Sequence, residues 1–265
     1  MDSFQGAQRI VIKVGTSTLT YETGLINIRR LESLVKVLSD LANAGREIIL
    51  VTSGAIGVGL GKLGLRERPS DTPSRQAAAA VGQNELMHVY DNLFSSYGHT
   101  IAQILLTQDI FDHELRRSHV VNTFEKLLSL HAIPVVNEND TVSVEELEGA
   151  HIGDNDTLSA IVASLVRADG LIILSDIDGL YDAHPGKNPD AKLIPRVEHI
   201  NDYIESIASD PGSSRGTGGM RTKIQAAKIV EEAGINMAIV NGAHPEILYD
   251  LFEGQQRGTF FCFSK

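Results

Sequence analysis

Residues 153–156, Gly-Asp-Asn-Asp, place two carboxylates and an amide directly before a helical pattern. The apolar residues that follow have the spacing of a helix facing a core, at Leu158, Ile161, Val162, Leu165 and Val166. A helix start needs one capping side chain, which Asp154 or Asn155 can supply. Two adjacent carboxylates also need a metal ion, lysines or a substrate to balance their repulsion. The segment is therefore either an N-cap with excess charge or part of a functional site.

Two lysines elsewhere in the chain suggest what such a site could bind. Lys13 ends an apolar run, where burial of a lone ammonium is unfavourable. It is either a strand-end lysine that reaches water or a cation aimed at phosphate, beside an anion-binding turn at Gly15 and Thr16. Lys223 follows the glycine-rich segment 216–219, whose backbone can approach a ligand closely. The Lys223 segment is either a flexible loop with a solvated lysine or part of an anion site. If both lysines face an anion, they predict a site for nucleotide phosphates.

Amides and carboxylates follow another apolar run, at residues 137–140, Asn-Glu-Asn-Asp. This segment is either an elaborate turn or a receptor for a small zwitterion, with a carboxylate for an α-ammonium and amide donors for a carboxylate. Ser53 and Gly54, at a predicted helix start, can bind an anion through backbone amides. The glycines of 59–64 match the dinucleotide pattern G-x-G-x-x-G. They lie too far after the strand to form its strand-to-helix turn, so a Rossmann site is rejected.

The elements that must position these residues alternate along the chain. Runs of Ile, Val and Leu predict strands at Arg9–Val14, Glu47–Thr52, Thr100–Leu106, Ile133–Val136, Gly170–Ser175 and Ile235–Val240. Amphipathic patterns predict helices at 27–44, 73–97, 116–131, 155–168 and 218–233. The alternation predicts an α/β layered fold with a mainly parallel sheet. The polar clusters follow predicted strands, so they share one edge of the sheet, where such folds bind ligands.

Composition excludes several functional classes. The net charge is −11, from 23 Lys and Arg against 34 Asp and Glu, and no polybasic run suggests nucleic acid as a partner. The single cysteine, Cys262, rules out an internal disulfide and fits a reducing cytosol. The histidines lack metal-ligand spacing. No signal peptide or membrane span is recognisable. We expect a soluble cytoplasmic protein.

An ordered set of motifs from Arg9 to about Phe261 comprises IVIKVGTSTLT, VTSGAIGVG, RQAAAAVGQ, VVNENDTV, GDNDTLSA, LSDIDGLYDAHP and TGGMRTK. With these motifs the chain resembles the glutamate 5-kinases of the amino-acid kinase family. The resemblance implies a three-layer αβα sandwich. It also implies transfer of the ATP γ-phosphoryl group to the side-chain carboxylate of L-glutamate, the first step of proline biosynthesis. That carboxylate has a pKa of about 4.3 and is a nucleophile at neutral pH without a general base.

The same resemblance implies roles for individual residues. Lys13 and Lys223 would be catalytic cations on either side of the transferring group, held in place by Asp156. Glutamate would contact Ser53, Gly54, Asn137, Asp140 and Asn155. The nucleotide would contact Lys13, Ser175, Asp176, Thr217, Gly218, Gly219, Met220 and Lys223. Segment 176–190 would lie beside the adenine and ribose.

Residues 1–265 are expected to form one amino-acid kinase domain, whose N-terminal part binds the amino acid and whose part from about 170 to 265 binds the nucleotide. The resemblance implies ATP and Mg²⁺ as cofactors, with Mg²⁺ bound through ATP rather than by a side-chain cluster. It also implies a homo-oligomer, dimer or tetramer, inhibition by proline, and glutamyl phosphate reductase as the downstream enzyme. No PUA-type domain is expected.

Two alternatives remain open from the sequence. Acetylglutamate kinase, aspartokinase and uridylate kinase share the fold and the glycine loops. The segments 137–140 and 153–156 favour a small free amino acid over a nucleotide acceptor. A non-catalytic sensor could keep the pocket without turnover, but it would have no use for both lysines and Asp156.

Overall fold

The computed structural model describes residues 3–65, 67, 69–107, 110, 113–142, 155–208 and 219–263. The strands are β1 Arg9–Val14, β2 Glu47–Val51, β3 Ile101–Leu106, β4 Ile133–Glu138, β5 Gly170–Ser175, β6 Arg196–Val197, β7 Asn236–Asn241 and β8 Thr259–Phe261. The helices are α1 Thr16–Leu19, α2 Ile28–Asn43, α3 Ala55–Leu63, α4 Thr72–Ser96, α5 Glu114–Ser129, α6 Asn155–Leu165, α7 Asp202–Ala208, α8 Met220–Glu232 and α9 Ile247–Phe252. Among these residues, none of the helices combines the length and the hydropathy that a membrane span requires.

The strands form one sheet in the order β3-β4-β2-β1-β5-β7-β8-β6. All neighbouring pairs are parallel except β7 with β8. Strand β1 lies at the centre, and its last residues are level with the ends of its neighbours, with Lys13 opposite Val51 of β2 and Ile173 of β5. The predicted α/β fold with a mainly parallel sheet is confirmed. The ends of β1, β2, β4 and β5 therefore share one edge.

Helices cover both faces of the sheet. Alternate strand residues such as Ile10 and Ile12 pack with α2, α4 and α9 in one core cluster. The residues between them, such as Val11, pack with α5, α6, α7 and α8 in a second cluster. Side chains along a strand point to opposite faces in turn, so Lys13 lies on the α6–α8 face with Val11. The predicted three-layer sandwich follows from these two cores.

The sequence prediction missed several elements and misplaced some boundaries. Strand β4 continues to Glu138, because Asn137 and Glu138 pair with Leu105 and Leu106 of β3. Strands β6 and β8 are too short to show a clear apolar pattern. Helix α4 begins near its predicted start, where the side chain of Asp71 accepts a hydrogen bond from Ser74 N. Helices α1, α7 and α9 were also not predicted. Of α3, only the start was predicted.

The glycines of 59–64 that imitate a dinucleotide motif serve helix packing instead. A Cβ at Gly59 would lie inside the contact radius of Ala78 O in α4, and a Cβ at Gly82 of α4 would overlap Ala55 O in α3. The two backbones therefore approach more closely than any larger residue allows. This packing fixes α4 against the start of α3. It also places Gln83, the residue after Gly82, beside the carboxyl edge of the sheet.

Candidate active site

Asp156 forms the centre of a buried ionic cluster. Its side chain is 0% exposed, and its two oxygens lie 2.6 Å from Lys13 Nζ and 3.0 Å from Lys223 Nζ. Thr222 Oγ1 donates to the same oxygen as Lys223, at 2.8 Å. Both lysines are themselves buried, each 6% exposed. One carboxylate thus holds two ammonium groups side by side.

Three elements bring this cluster together. Lys13 lies near the end of β1, while Asp156 and Lys223 lie in the first turns of α6 and α8. Helix N-termini carry a partial positive charge, so both helix starts add to the positive potential there. Burial alone would raise the pKa of Asp156, but the charges and hydrogen bonds of Lys13 and Lys223 outweigh it. The pKa of Asp156 therefore lies well below its usual range.

Asn155, the residue before Asp156, points to a second polar group. Its Nδ2 donates to Thr52 O at 2.8 Å, to Ser53 Oγ at 3.0 Å and to Asn137 Oδ1 at 3.0 Å. Asn137 lies near the end of β4 and is 2% exposed, and Ser53 follows β2. Successive residues of α6 therefore face two neighbouring groups, one cationic and one made of amides and hydroxyls.

Helix α4 supports the second group from the opposite face of the sheet. Gln83 Oε1 accepts a hydrogen bond from Asn137 Nδ2 at 2.8 Å, and Tyr90 Oη lies 2.9 Å from Thr52 Oγ1. Burial raises the pKa of Tyr90, so the phenol stays neutral. Gln83 and Tyr90 are seven residues apart and share one helix face. Gln83, Tyr90 and Thr222 were not predicted as site residues from the sequence. Only Gln83 had a signal there, as a polar residue that directly follows the close-packing glycine Gly82.

The other predicted residues lie around this edge. Asp140 is half-buried two residues after β4, and Gly54 has the left-handed φ of 93° before α3. Ser175 ends β5, where its hydroxyl donates to Asp176 Oδ1 at 3.3 Å. Gly219 and Met220 begin α8. Thr217 and Gly218, with Gly153 and Asp154, lie outside the described residues.

The 176–190 segment starts with a small polar cluster. Asp178 accepts from Asn241 Nδ2 at 2.8 Å and from Tyr181 Oη at 3.3 Å. Burial, followed by the nearby Asp178 charge, raises the pKa of Tyr181. Asn241 ends β7 beside Ser175 of β5. These contacts link the segment to the same carboxyl edge of the sheet, on the far side of β1 from Asn137.

The described residues contain no group of three His, Cys, Asp or Glu side chains able to hold a metal ion. Within the described residues, two ammonium groups of the cluster around Asp156 face one carboxylate, an excess of one positive charge. A buried excess charge is unfavourable unless an anion approaches it. The arrangement is thus suited to an anionic ligand between Lys13 and Lys223.

Known proteins are similar to this chain in sequence and in fold. The sequence pattern of the amino acid kinase family matches residues 8–241. A glutamate 5-kinase of Clostridium perfringens is 51% identical over 264 residues, covering 99% of this chain and 98% of the relative. One from Clostridium tetani is 55% identical over 254 residues, covering 96% and 94%. The crystal structure of UMP kinase from Ureaplasma parvum has a TM-score of 0.65 at 16% identity, covers 97% of this chain and 99% of its own, and supports the fold alone. From the extent of the family match and the identity to these relatives, the chain belongs to the amino acid kinase family.

Proposed function

We propose that the chain is a glutamate 5-kinase, which transfers the γ-phosphoryl group of ATP to the side-chain carboxylate of L-glutamate. The observation that carries the proposal is the buried cluster of Lys13, Asp156 and Lys223 beside the amide group around Asn155. Relatives at 51% and 55% identity over nearly the whole chain are glutamate 5-kinases. The cluster supplies the cations for phosphoryl transfer, and the amide group supplies contacts for the amino acid.

The reaction joins two anions, so the protein must neutralise charge and hold the reactants in line. Lys13 and Lys223 neutralise negative charge on the transferring group from two sides. Asp156 keeps both ammonium groups in place and, with its low pKa, does not take up a proton at neutral pH. The glutamate carboxylate is already ionised, so one of its oxygens attacks the γ-phosphorus of ATP directly. The bond from that phosphorus to the β,γ-bridging oxygen breaks, ADP leaves, and the attacking oxygen becomes the bridging oxygen of the acyl phosphate.

The positive charge of this cluster suits the phosphates of ATP. In the proposal Mg²⁺ binds through ATP and supplies further positive charge at the transferring group. Ser175, Asp176 and residues 217–220 contact the nucleotide, so the part of the chain from about 170 to 265 is the nucleotide-binding part. Asn155, Ser53, Gly54, Asn137 and Asp140 contact the glutamate.

The proposed reaction also implies which molecules interact with this chain or its product. Glutamyl 5-phosphate is a reactive acyl phosphate, so a reductase that consumes it is the expected next enzyme. Proline resembles a cyclised glutamate and is the proposed inhibitor at or near the amino-acid site. The chain is also proposed to form a homo-oligomer, either a dimer or a tetramer.

An acceptor panel tests the activity. The protein is supplied with ATP, Mg²⁺ and hydroxylamine, which converts an acyl phosphate to a stable hydroxamate, and is offered glutamate, acetylglutamate, aspartate or UMP. Hydroxamate with glutamate alone is the expected result. Hydroxamate with acetylglutamate or aspartate instead, or ADP release with UMP only, would assign a sister activity. ADP release with none of the four acceptors would favour a non-catalytic sensor.

A further inference from the structure

We propose that Gln83 is a positioning residue that orients the amide of Asn155 through Asn137, and so selects an acceptor that carries an α-ammonium group. The inference rests on the proposed function, because it names how the acceptor site tells glutamate from its analogues. Gln83 contacts Asn137 and none of the three residues of the ionic cluster. Its effect on the substrate is therefore indirect.

Backbone groups fix the polarity of this hydrogen-bond chain at two points. Glu138 N–H can only donate, and it donates to Asn137 Oδ1 at 2.9 Å. Thr52 O can only accept, and it accepts from Asn155 Nδ2 at 2.8 Å. The bond between the two side chains, Asn155 Nδ2 to Asn137 Oδ1 at 3.0 Å, agrees with both constraints. Neither amide can turn over without opposing two donors or two acceptors.

Gln83 completes the chain on the α4 side. Since Asn137 Oδ1 is committed to Glu138 N and Asn155, Asn137 Nδ2 must find an acceptor, and Gln83 Oε1 lies 2.8 Å away. Gln83 is only 8% exposed, and its own Nε2 is buried without a hydrogen-bond partner among the described residues. An orphaned donor is unfavourable. The side chain is thus oriented to satisfy Asn137 at the expense of its own amide nitrogen.

The consequence for ligand selection concerns the remaining atom of Asn155. The two hydrogens of Asn155 Nδ2 are shared among three protein acceptors, and Asn155 Oδ1 is left without a hydrogen bond inside the described part of the chain. An amide oxygen accepts and cannot donate, so it suits an ammonium group rather than a carboxylate. A rotated amide would present a donor and lose this preference. The backbone groups of Glu138 and Thr52 oppose that rotation, and Gln83 adds to them by holding Asn137 Nδ2, which keeps Asn137 Oδ1 in line with Asn155.

The test compares glutamate with glutarate, the same dicarboxylate without the α-ammonium. Gln83→Met keeps the length of the side chain but removes the acceptor for Asn137. We expect the KM for glutamate to rise roughly tenfold, the worth of a hydrogen bond to a charged group. Three other quantities do not depend on a contact with the α-ammonium group and should change by less than about twofold. They are the kcat, the KM for ATP and the Ki of glutarate as a competitor of glutamate. Gln83→Glu, which restores an acceptor oxygen, should recover most of the glutamate KM.

Asn84→Met, an exposed change at the next position of α4, serves as the control and should behave like the unmodified protein. Equal weakening of glutamate and glutarate by Gln83→Met would show a merely structural role and overturn the inference. An unchanged glutamate KM, or no recovery with Gln83→Glu, would also overturn it. An unmodified protein that gives no hydroxamate with glutamate would instead contradict the proposed function.

Discussion

Asp156 accepts from two lysines that are more than 200 positions apart in the chain and that meet only in the folded protein. A buried ion pair contributes little net stability, but removing one partner leaves an uncompensated charge in the interior. Here the loss of Asp156 would leave two ammonium groups facing each other. The carboxylate is therefore needed to build the site as well as to orient its cations.

Asp156→Asn tests this role through stability and its pH dependence. At neutral pH we expect a loss of roughly 3 to 5 kcal/mol in the free energy of unfolding. The folded-state pKa of Asp156 is lowered from 3.8, so its contribution is complete above that pH and is lost as the pH falls toward the lower folded-state value. Denaturant unfolding should show the two proteins converging below about pH 3.8. A constant difference down to the lowest accessible pH would contradict the ionic role.

At the scale of elements, the site depends on how α3 and α4 pack. Gly59 and Gly82 let the two helices approach closely, and this approach sets Gln83 and Tyr90 behind Asn137 and Thr52. Asn155 of α6 reaches the same group from the other face of the sheet. The proposed acceptor site thus lies where both helical layers meet the carboxyl edge of the sheet.

Gly82→Ala should disturb this packing. The added Cβ would overlap the Ala55 carbonyl, so we expect roughly 1 to 3 kcal/mol of destabilisation and a weaker affinity for glutamate. Gly57→Ala in α3 is the matched control, because its Cβ would meet only Thr16 Cγ2 at an ordinary 3.7 Å. It should be neutral or stabilise by up to about 1 kcal/mol, since alanine favours helix. Thermal unfolding of both variants measures the difference, and equal stability would refute the packing argument.

The sequence predicted the central elements because buried parallel strands are nearly continuous in Ile, Val and Leu. It also indicated Asp156, since a second carboxylate at a helix start has no role in a cap. The pairing of Asp156 with Lys13 and Lys223 depends on strand order, which local patterns do not contain. Gln83 was missed for a similar reason. Gln83 is followed by the polar residues Asn84 and Glu85, so it resembles a surface position until the packing of α3 and α4 buries it.

At the scale of the whole molecule, the charge is distributed unevenly. The chain carries a net charge of −11, yet the most buried ion pairs of its described part join two lysines to one carboxylate. Because the chain as a whole is acidic, a phosphate group is attracted only where positive charges lie close together, as Lys13 and Lys223 do. The central position of β1 and the starts of α6 and α8 make this possible.

We propose that Lys13 and Lys223 together stabilise phosphoryl transfer to glutamate, and the Lys223→Met variant is the sharpest test of this role. The variant keeps a neutral pair of Lys13 and Asp156, so it should fold normally by thermal unfolding. In the hydroxamate assay we predict that kcat falls roughly 100-fold to 1,000-fold, as when one donor to a transition-state anion is removed, while the KM for glutamate changes little. A folded Lys223→Met protein with near-normal kcat would contradict the account.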